Sequence, residues 1–286
     1  MSAPHLLMLL REALKAAIDR LTAAQVGSPR LNAEVLLMFA LGKDRAYLYA
    51  HSDDELEAET FSRYDDALAQ RAQGIPSQYI TGHQEFWGMD FIVTPAVLIP
   101  RPETEHLIET ALSLTLRLEN PKIVDVGTGS GCIALVLANE LPTAEIDAID
   151  ISNDALEIAR ANAARHQSGN RVRFHQNDLL ENFPDASFDL IVSNPPYVGE
   201  SEEDQVQLEV RKFEPRNAVF AGSSGTEIIQ RLIPQAESVL KPGGHLIMEI
   251  SGSIVEAVKP LLKNWQEVEV IPDLQSIPRI ISARKP

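Results

Sequence analysis

The stretch Ile123-Val124-Asp125-Val126 runs straight into Gly127-Thr128-Gly129-Ser130-Gly131, and Cys132 to Asn139 continues as an apolar helical segment. A short buried strand, a glycine turn and a helix, in that order, restrict the chain to a few α/β architectures. Glycines at alternate positions permit a tight turn and let a ligand press on bare backbone at a helix start. The spacing departs from a dinucleotide fingerprint, whose last glycine would fall where Cys132 stands. Gly131 instead completes a G-x-G-x-G pattern, which suits a zwitterionic amino-acid moiety better than a pyrophosphate. The loop sits within an alternation: Glu145 to Ile149 reads as a strand, Asp154 to Arg165 as a helix, and Val172 to His175 and Phe188 to Val192 as strands. Such alternation predicts a parallel sheet covered on both faces. The end differs, with strand-like runs at His245 to Ile250, Val268 to Ile271 and Ile277 to Ala283 and one helix, Ile254 to Lys263.

The first 74 residues read as helical. Leu6, Leu10, Leu14, Ala17, Ile18 and Leu21 recur at helical spacing. Ser28-Pro29 opens a second helix carrying Leu31, Val35, Leu36, Met38 and Phe39 and ending at Gly42. Ser52 with Glu55 forms a capping box for a third helix, ending near Gly74. Three short helices make a small bundle with a thin core, a candidate docking module. Residues 75–100, with Phe86-Trp87-Gly88 and Phe91-Ile92-Val93, read as a β-hairpin connector, and residues 101–286 as the α/β domain.

Charge narrows the function. The formal net charge is −16, with 41 acidic against 25 basic residues. A nucleic-acid enzyme needs a basic face to neutralise phosphates, so direct nucleic-acid binding is not expected. A polypeptide or basic partner fits better. The single cysteine, Cys132, excludes an intrachain disulfide framework and reads as a small buried residue. The seven histidines show no ligand spacing, so no metal is expected. No apolar run is long enough to span a membrane. Glu12 and Asp19 after the apolar run Leu6 to Leu10 argue against a targeting peptide, which makes the cytoplasm the expected compartment.

Two acidic residues and one proline-rich corner complete the candidate site. Asp150 closes the second strand, where a carboxylate can accept from both hydroxyls of an adenosine ribose; it is also placed to act as a helix-start charge before Ser152. After the third strand, Asp178 could bond an exocyclic adenine amine and Leu179 pack on the ring. Ser193-Asn194-Pro195-Pro196-Tyr197 follows the fourth strand. Its prolines fix φ and remove two donors, leaving the Asn194 side-chain carbonyl and neighbouring main-chain carbonyls as acceptors. Those acceptors can hold the hydrogens of a planar NH₂ group while Tyr197 lies against its face. An amide nitrogen is a poor nucleophile, so aiming it at an activated methyl group depends on positioning rather than on a strong base.

Asp-Val-Gly-Thr-Gly-Ser-Gly followed by Asn-Pro-Pro-Tyr resembles the class I S-adenosylmethionine-dependent amino-methyltransferases. More narrowly, the chain resembles the peptide-chain release factor N(5)-glutamine methyltransferases. That likeness rests on Pro76 to Gly82, Glu85 to Gly88, Val97 to Glu105, Cys132 to Leu135, Ser193 to Val198, Phe213 to Arg216, Gly243-Gly244, Glu249 and Arg279-Ile280-Ile281. Leu179, Phe213 and Ser251-Gly252-Ser253 depart from the usual pattern of the family.

The resemblance implies a Rossmann-like, seven-stranded sheet with a reversed last strand, preceded by the helical bundle and the hairpin connector. It implies an enzyme of translation termination that methylates the glutamine of the Gly-Gly-Gln motif in class 1 release factors, with residues 1–74 gripping the factor. Carried over, Gly127, Thr128, Gly129, Ser130 and Gly131 hold the methionine end of S-adenosylmethionine and of its product S-adenosylhomocysteine. Asp150 takes the ribose, and Asp178 and Leu179 flank the adenine. Asn194, Pro195, Pro196 and Tyr197 hold the glutamine amide, Asn194 lying near both ligands; Arg101 and Glu103 close the pocket. Two other readings share the motifs. A ribosomal-protein glutamine methyltransferase usually departs from the Pro102-Glu103-Thr104-Glu105 run found here, and an adenine or guanine amino-methyltransferase is disfavoured by the acidic balance.

Overall fold

The computed structural model describes residues 8–168 and 171–286. The chain divides into two compact units after Gly82. The first contains α1 (Leu10–Ala23), α2 (Pro29–Leu41), α3 (Arg45–Ala50), α4 (Ala58–Ala72) and α5 (Ser77–Thr81). Two-residue strands β1 (Met8–Leu9) and β2 (Glu55–Leu56) pair antiparallel. Leu10, Ala13, Ala17 and Leu21 of α1 are buried, the i, i+3, i+4 stripe of an amphipathic helix. Position 6 of the expected first helix lies outside the described residues.

Of the apolar residues carried by α2, Leu31 and Phe39 face solvent, and Ala33, Leu36, Leu37 and Ala40 form the buried stripe. In a helix so rich in apolar residues the sequence does not fix which stripe turns inward; tertiary packing chooses. Ser52 and Glu55 do not cap a helix. The carbonyls of Ser52 and Asp54 accept from Arg11 and Leu10, satisfying the start of α1, and α4 begins only at Ala58. The extra helix α3 is capped by Asp44, whose side chain accepts from the Tyr47 N–H at 2.8 Å.

The second unit opens with the antiparallel hairpin β3 (His83–Phe86) and β4 (Met89–Ile92), turned through Trp87 and Gly88, both at positive φ. The segment read as one connector is thus shared: Ser77–Thr81 is helical and ends the first unit, and the hairpin begins the second. There follow α6 (Glu105–Thr115), β5 (Lys122–Val126), α7 (Cys132–Glu140), β6 (Glu145–Asp150), α8 (Asn153–Arg165), β7 (Val172–Gln176) and β8 (Phe188–Ser193). The rest comprises α9 (Leu208–Phe213), α10 (Arg216–Val219), α11 (Glu227–Val239), β9 (Leu240–Glu249), α12 (Val255–Val258), β10 (Gln266–Pro272) and β11 (Pro278–Arg284). The helix expected over 254–263 is only one α-turn between 3₁₀ turns, with Pro260 in the second.

The strands form one seven-stranded sheet in the order β10-β11-β9-β8-β5-β6-β7. Neighbours from β9 to β7 run parallel, and β11, the last strand, runs antiparallel to both β9 and β10. The expected reversed last strand is present. Alternate side chains feed two cores: Ile123, Leu190, Val192 and Ile247 pack with α6 and α7, whereas Val124, Ile191, Leu246 and Met248 pack with α11 and α12. Every central strand is therefore apolar on both faces. Among the described residues no helix is long and apolar enough to cross a membrane.

The chain runs outward from β5 through β6 to β7, then returns to lay β8 on the other side of β5. Strand order reverses between β5 and β8, so a crevice opens at their carboxyl ends. The parallel register pairs Val126 with Ser193, bringing Gly127 and Asn194 to the same edge. The Ser193 hydroxyl donates to the Val126 carbonyl at 2.7 Å and ties the two ends together.

Candidate active site

A cavity of about 270 Å³ lies over that crevice. Gly127, Thr128, Gly129, Ser130, Asp150, Asp178, Leu179, Asn194 and Pro196 line it, so most of the residues singled out from the sequence converge. Gly131 and Pro195 stand behind the lining, and so does Tyr197, whose hydroxyl donates to Glu249 at 3.2 Å. Arg101 reaches the wall; Glu103 is exposed and does not.

The glycine loop is shaped by its neighbours. Gly127 and Thr128 N–H groups both donate to the Ile149 carbonyl, at 2.9 and 2.8 Å. All three glycines have positive φ. A Cβ on Gly127 or Gly129 would meet no protein atom within 4 Å, so those positions face open space in which a ligand can touch the backbone. Gly131 plays a different part. A Cβ there would press on Ala159 at 3.2 Å, so the glycine permits close packing of α7 on α8.

Asp150 ties the loop to the second strand. Its carboxylate accepts from the Gly129 N–H and the Ser152 N–H, both at 2.9 Å. Burial raises its pKa, and those backbone donors oppose the rise. A carboxylate can accept about four hydrogen bonds, so lone pairs remain for a ligand diol. It serves both readings at once, helix start and pocket wall. Asp178 is held by Arg231 at 2.7 Å, and Leu179 takes φ of 51° to turn toward the cavity. Cys132 is buried with its thiol pushed up to about 12 by burial, an inert wall residue.

Three acids that the sequence motifs contain, but to which sequence reasoning gave no role, are buried around the site. Asp125 is fully buried, accepts from the Thr128 hydroxyl at 2.6 Å, and is raised to about 7 by burial. Its Oδ1 makes no hydrogen bond of good geometry, though the Ala134 N–H helps to hold the charged form. Glu214 accepts from the Ile99 N–H at 3.2 Å and pairs with Arg101, pinning the 96–101 strap that forms one wall. Glu249 is buried at the end of β9 and accepts from Thr104 and Tyr197. The signal was present for two of them: an acid inside Ile-Val-Asp-Val or Leu-Ile-Met-Glu-Ile is expensive to bury and demands partners.

Open glycine backbone at a helix start, a carboxylate with spare acceptor capacity at the end of β6 and a second acid after β7 form a donor and acceptor set that fits S-adenosylmethionine. Sheet order and site together define a class I S-adenosylmethionine-dependent methyltransferase. Solved structures share the fold. A methyltransferase from Pyrococcus furiosus aligns with a TM-score of 0.52 at 21% identity, covering 70% of this chain and 90% of that one. The hMettl16 catalytic domain, in complex with MAT2A 3'UTR hairpin 6, aligns at 0.58 and 16% identity, covering 76% and 81%. Sequence relatives narrow the assignment. Residues 12–82 match the PrmC N-terminal domain and residues 104–212 the methyltransferase small domain. A release factor glutamine methyltransferase of Koribacter versatilis (strain Ellin345) is 54% identical over 280 residues, covering 98% of this chain and 99% of that protein. One from Nitratidesulfovibrio vulgaris (strain Hildenborough) is 42% identical over 281 residues, covering 96% and 95%. The chain belongs to the release factor glutamine methyltransferase family.

Proposed function

We propose that this chain transfers a methyl group from S-adenosylmethionine to the side-chain amide nitrogen of the glutamine in the Gly-Gly-Gln motif of class 1 peptide-chain release factors. The observation that carries the reading is the Val126–Ser193 register, which puts the glycine loop and the Asn-Pro-Pro-Tyr corner at one crevice. Gly127 to Gly131 hold the methionine end of the donor, Asp150 the ribose, and Asp178 with Leu179 the adenine. S-adenosylmethionine held there would supply an electrophilic sulfonium methyl group, with S-adenosylhomocysteine leaving on the C–S electron pair when the amide nitrogen takes the methyl and gives up one proton to water. The Asn194 side-chain oxygen accepts one amide hydrogen and a main-chain carbonyl of the corner the other, orienting the lone pair; Pro195, Pro196 and Tyr197 stiffen the corner. Residues 1–74 bind the body of the factor, and the reaction belongs to the cytoplasm.

The test is methyl transfer from labelled donor to purified release factor, with label on the glutamine and none on a factor whose glutamine is alanine. Asn194→Ala should slow the chemical step about 100–1000-fold, roughly 3–4 kcal/mol in the barrier, with donor affinity little changed. Undiminished turnover in that variant sinks the assignment of the corner.

A further inference from the structure

Asn194 can present either its oxygen or its NH₂ group to the cavity, and only the oxygen can accept from a substrate amide. We propose that Thr104 and Glu249 are positioning residues that decide this choice, an inference that deepens the reading of the site given above. Glu249 is 2% exposed and sits at the end of β9; Thr104 is 3% exposed at the start of α6. The Thr104 hydroxyl lies 2.7 Å from Glu249 Oε2, the Tyr197 hydroxyl 3.2 Å from Oε1, and Asn194 Nδ2 3.2 Å from Thr104 Oγ1.

Direction follows from the chemistry of the groups. An ionised carboxylate only accepts, so both hydroxyls must turn their hydrogens toward Glu249. The single hydrogen of Thr104 is then spent, and its oxygen can only accept from the next group. Asn194 must therefore offer its NH₂ to Thr104, which leaves Oδ1 as the end free for the cavity. Burial raises the Glu249 pKa, and the two hydroxyl donors together with Arg279, which faces it from β11 and is itself paired with Asp273 at 3.0 Å, oppose that rise; the hydrogen bonds run in this direction in the ionised form. One buried acid thus sets the polarity of a chain of hydrogen bonds ending at the substrate, and the same acid holds the Tyr197 ring of that corner.

Two measurements on the full chain test this. Thr104→Val keeps the shape and removes the hydroxyl; it should lower kcat by about 10–100-fold while KM for the donor holds, and Thr104→Ser should restore most of the rate. In an Asn194→Ala background, followed in single turnovers, Thr104→Val should cost little more, because the group it orients is gone. An equal loss in both backgrounds, or a Thr104→Val enzyme as fast as the parent, overturns the proposal. The second measurement needs no substrate. The Asn194 side-chain NH₂ resonances, identified by their loss in Asn194→Ala, should exchange slowly with water and become fast-exchanging in Thr104→Val. Exchange unaffected by Thr104→Val overturns the relay whatever the activity. If the relay is seen by exchange but the parent enzyme leaves the release factor unmethylated, the substrate assignment falls and the relay stands.

Discussion

Asp125 illustrates how a single residue couples the site to stability. Its carboxyl rises from 3.8 to about 7 because burial penalises the charge more than Thr128 and Ala134 relieve it, with Asp150 adding repulsion. Between those values the folded chain holds a proton that the unfolded chain has lost, so stability falls as pH rises from about 4 to 7. One pKa unit is about 1.4 kcal/mol, which sets an upper scale of about 4 kcal/mol for this residue. Unfolding by urea at pH 5 and pH 7.5 should show a larger drop for the parent than for Asp125→Asn. At Gly131 the demand is steric. The φ of 82° and the 3.2 Å approach to Ala159 make Gly131→Ala destabilising by about 1–3 kcal/mol, measurable by the same unfolding experiment. Gly131 was legible in the sequence as part of a ligand loop, but its packing on Ala159 was not, because α8 is brought there only by the folded sheet.

At the scale of elements, the Asn-Pro-Pro-Tyr corner is held from outside by the 219–225 segment. Val198 N–H donates to Val219 and Ala221 N–H donates back to Val198, at 3.1 and 3.0 Å. Gly225, with φ of 78°, lies so close that a Cβ would sit 2.5 Å from the Tyr197 carbonyl. Backbone cannot yield as a flexible side chain would, so Gly225→Ala should displace the corner. We expect kcat for release-factor methylation to fall while binding of S-adenosylhomocysteine, measured by calorimetry, is largely kept. The corner itself could be read from the sequence because two prolines and an asparagine after an apolar strand are local information. Its outer support could not, since Gly225 is joined to Tyr197 only through tertiary contact. The failed capping box shows the same limit in reverse: Ser52 and Glu55 carry a valid local signal, but the start of α1 takes the carbonyls around them.

For the whole molecule, the cavity is lined entirely by residues between Ala96 and Arg231, and each unit has its own apolar core. A chain beginning at His83 should therefore fold and bind S-adenosylhomocysteine as the full chain does, yet lose methylation of release factor if residues 1–74 grip the substrate. Calorimetry and the labelled-donor assay separate the two outcomes. Sequence alone determined the succession of strands β5 to β11, the helices α7 and α8, the glycine turn and the proline-braced corner, because each depends on backbone preferences and apolar runs within a few residues. It also determined the sheet type, since strands apolar on both faces must be covered on both sides. Tertiary structure decided which stripe of α2 is buried, where α4 begins, and that Thr104, Glu249 and Asn194, far apart in the chain, form one chain of hydrogen bonds. The reason is physical: those outcomes turn on competition between distant groups for the same carbonyl, carboxylate or core volume, and that competition exists only once the sheet has brought them together.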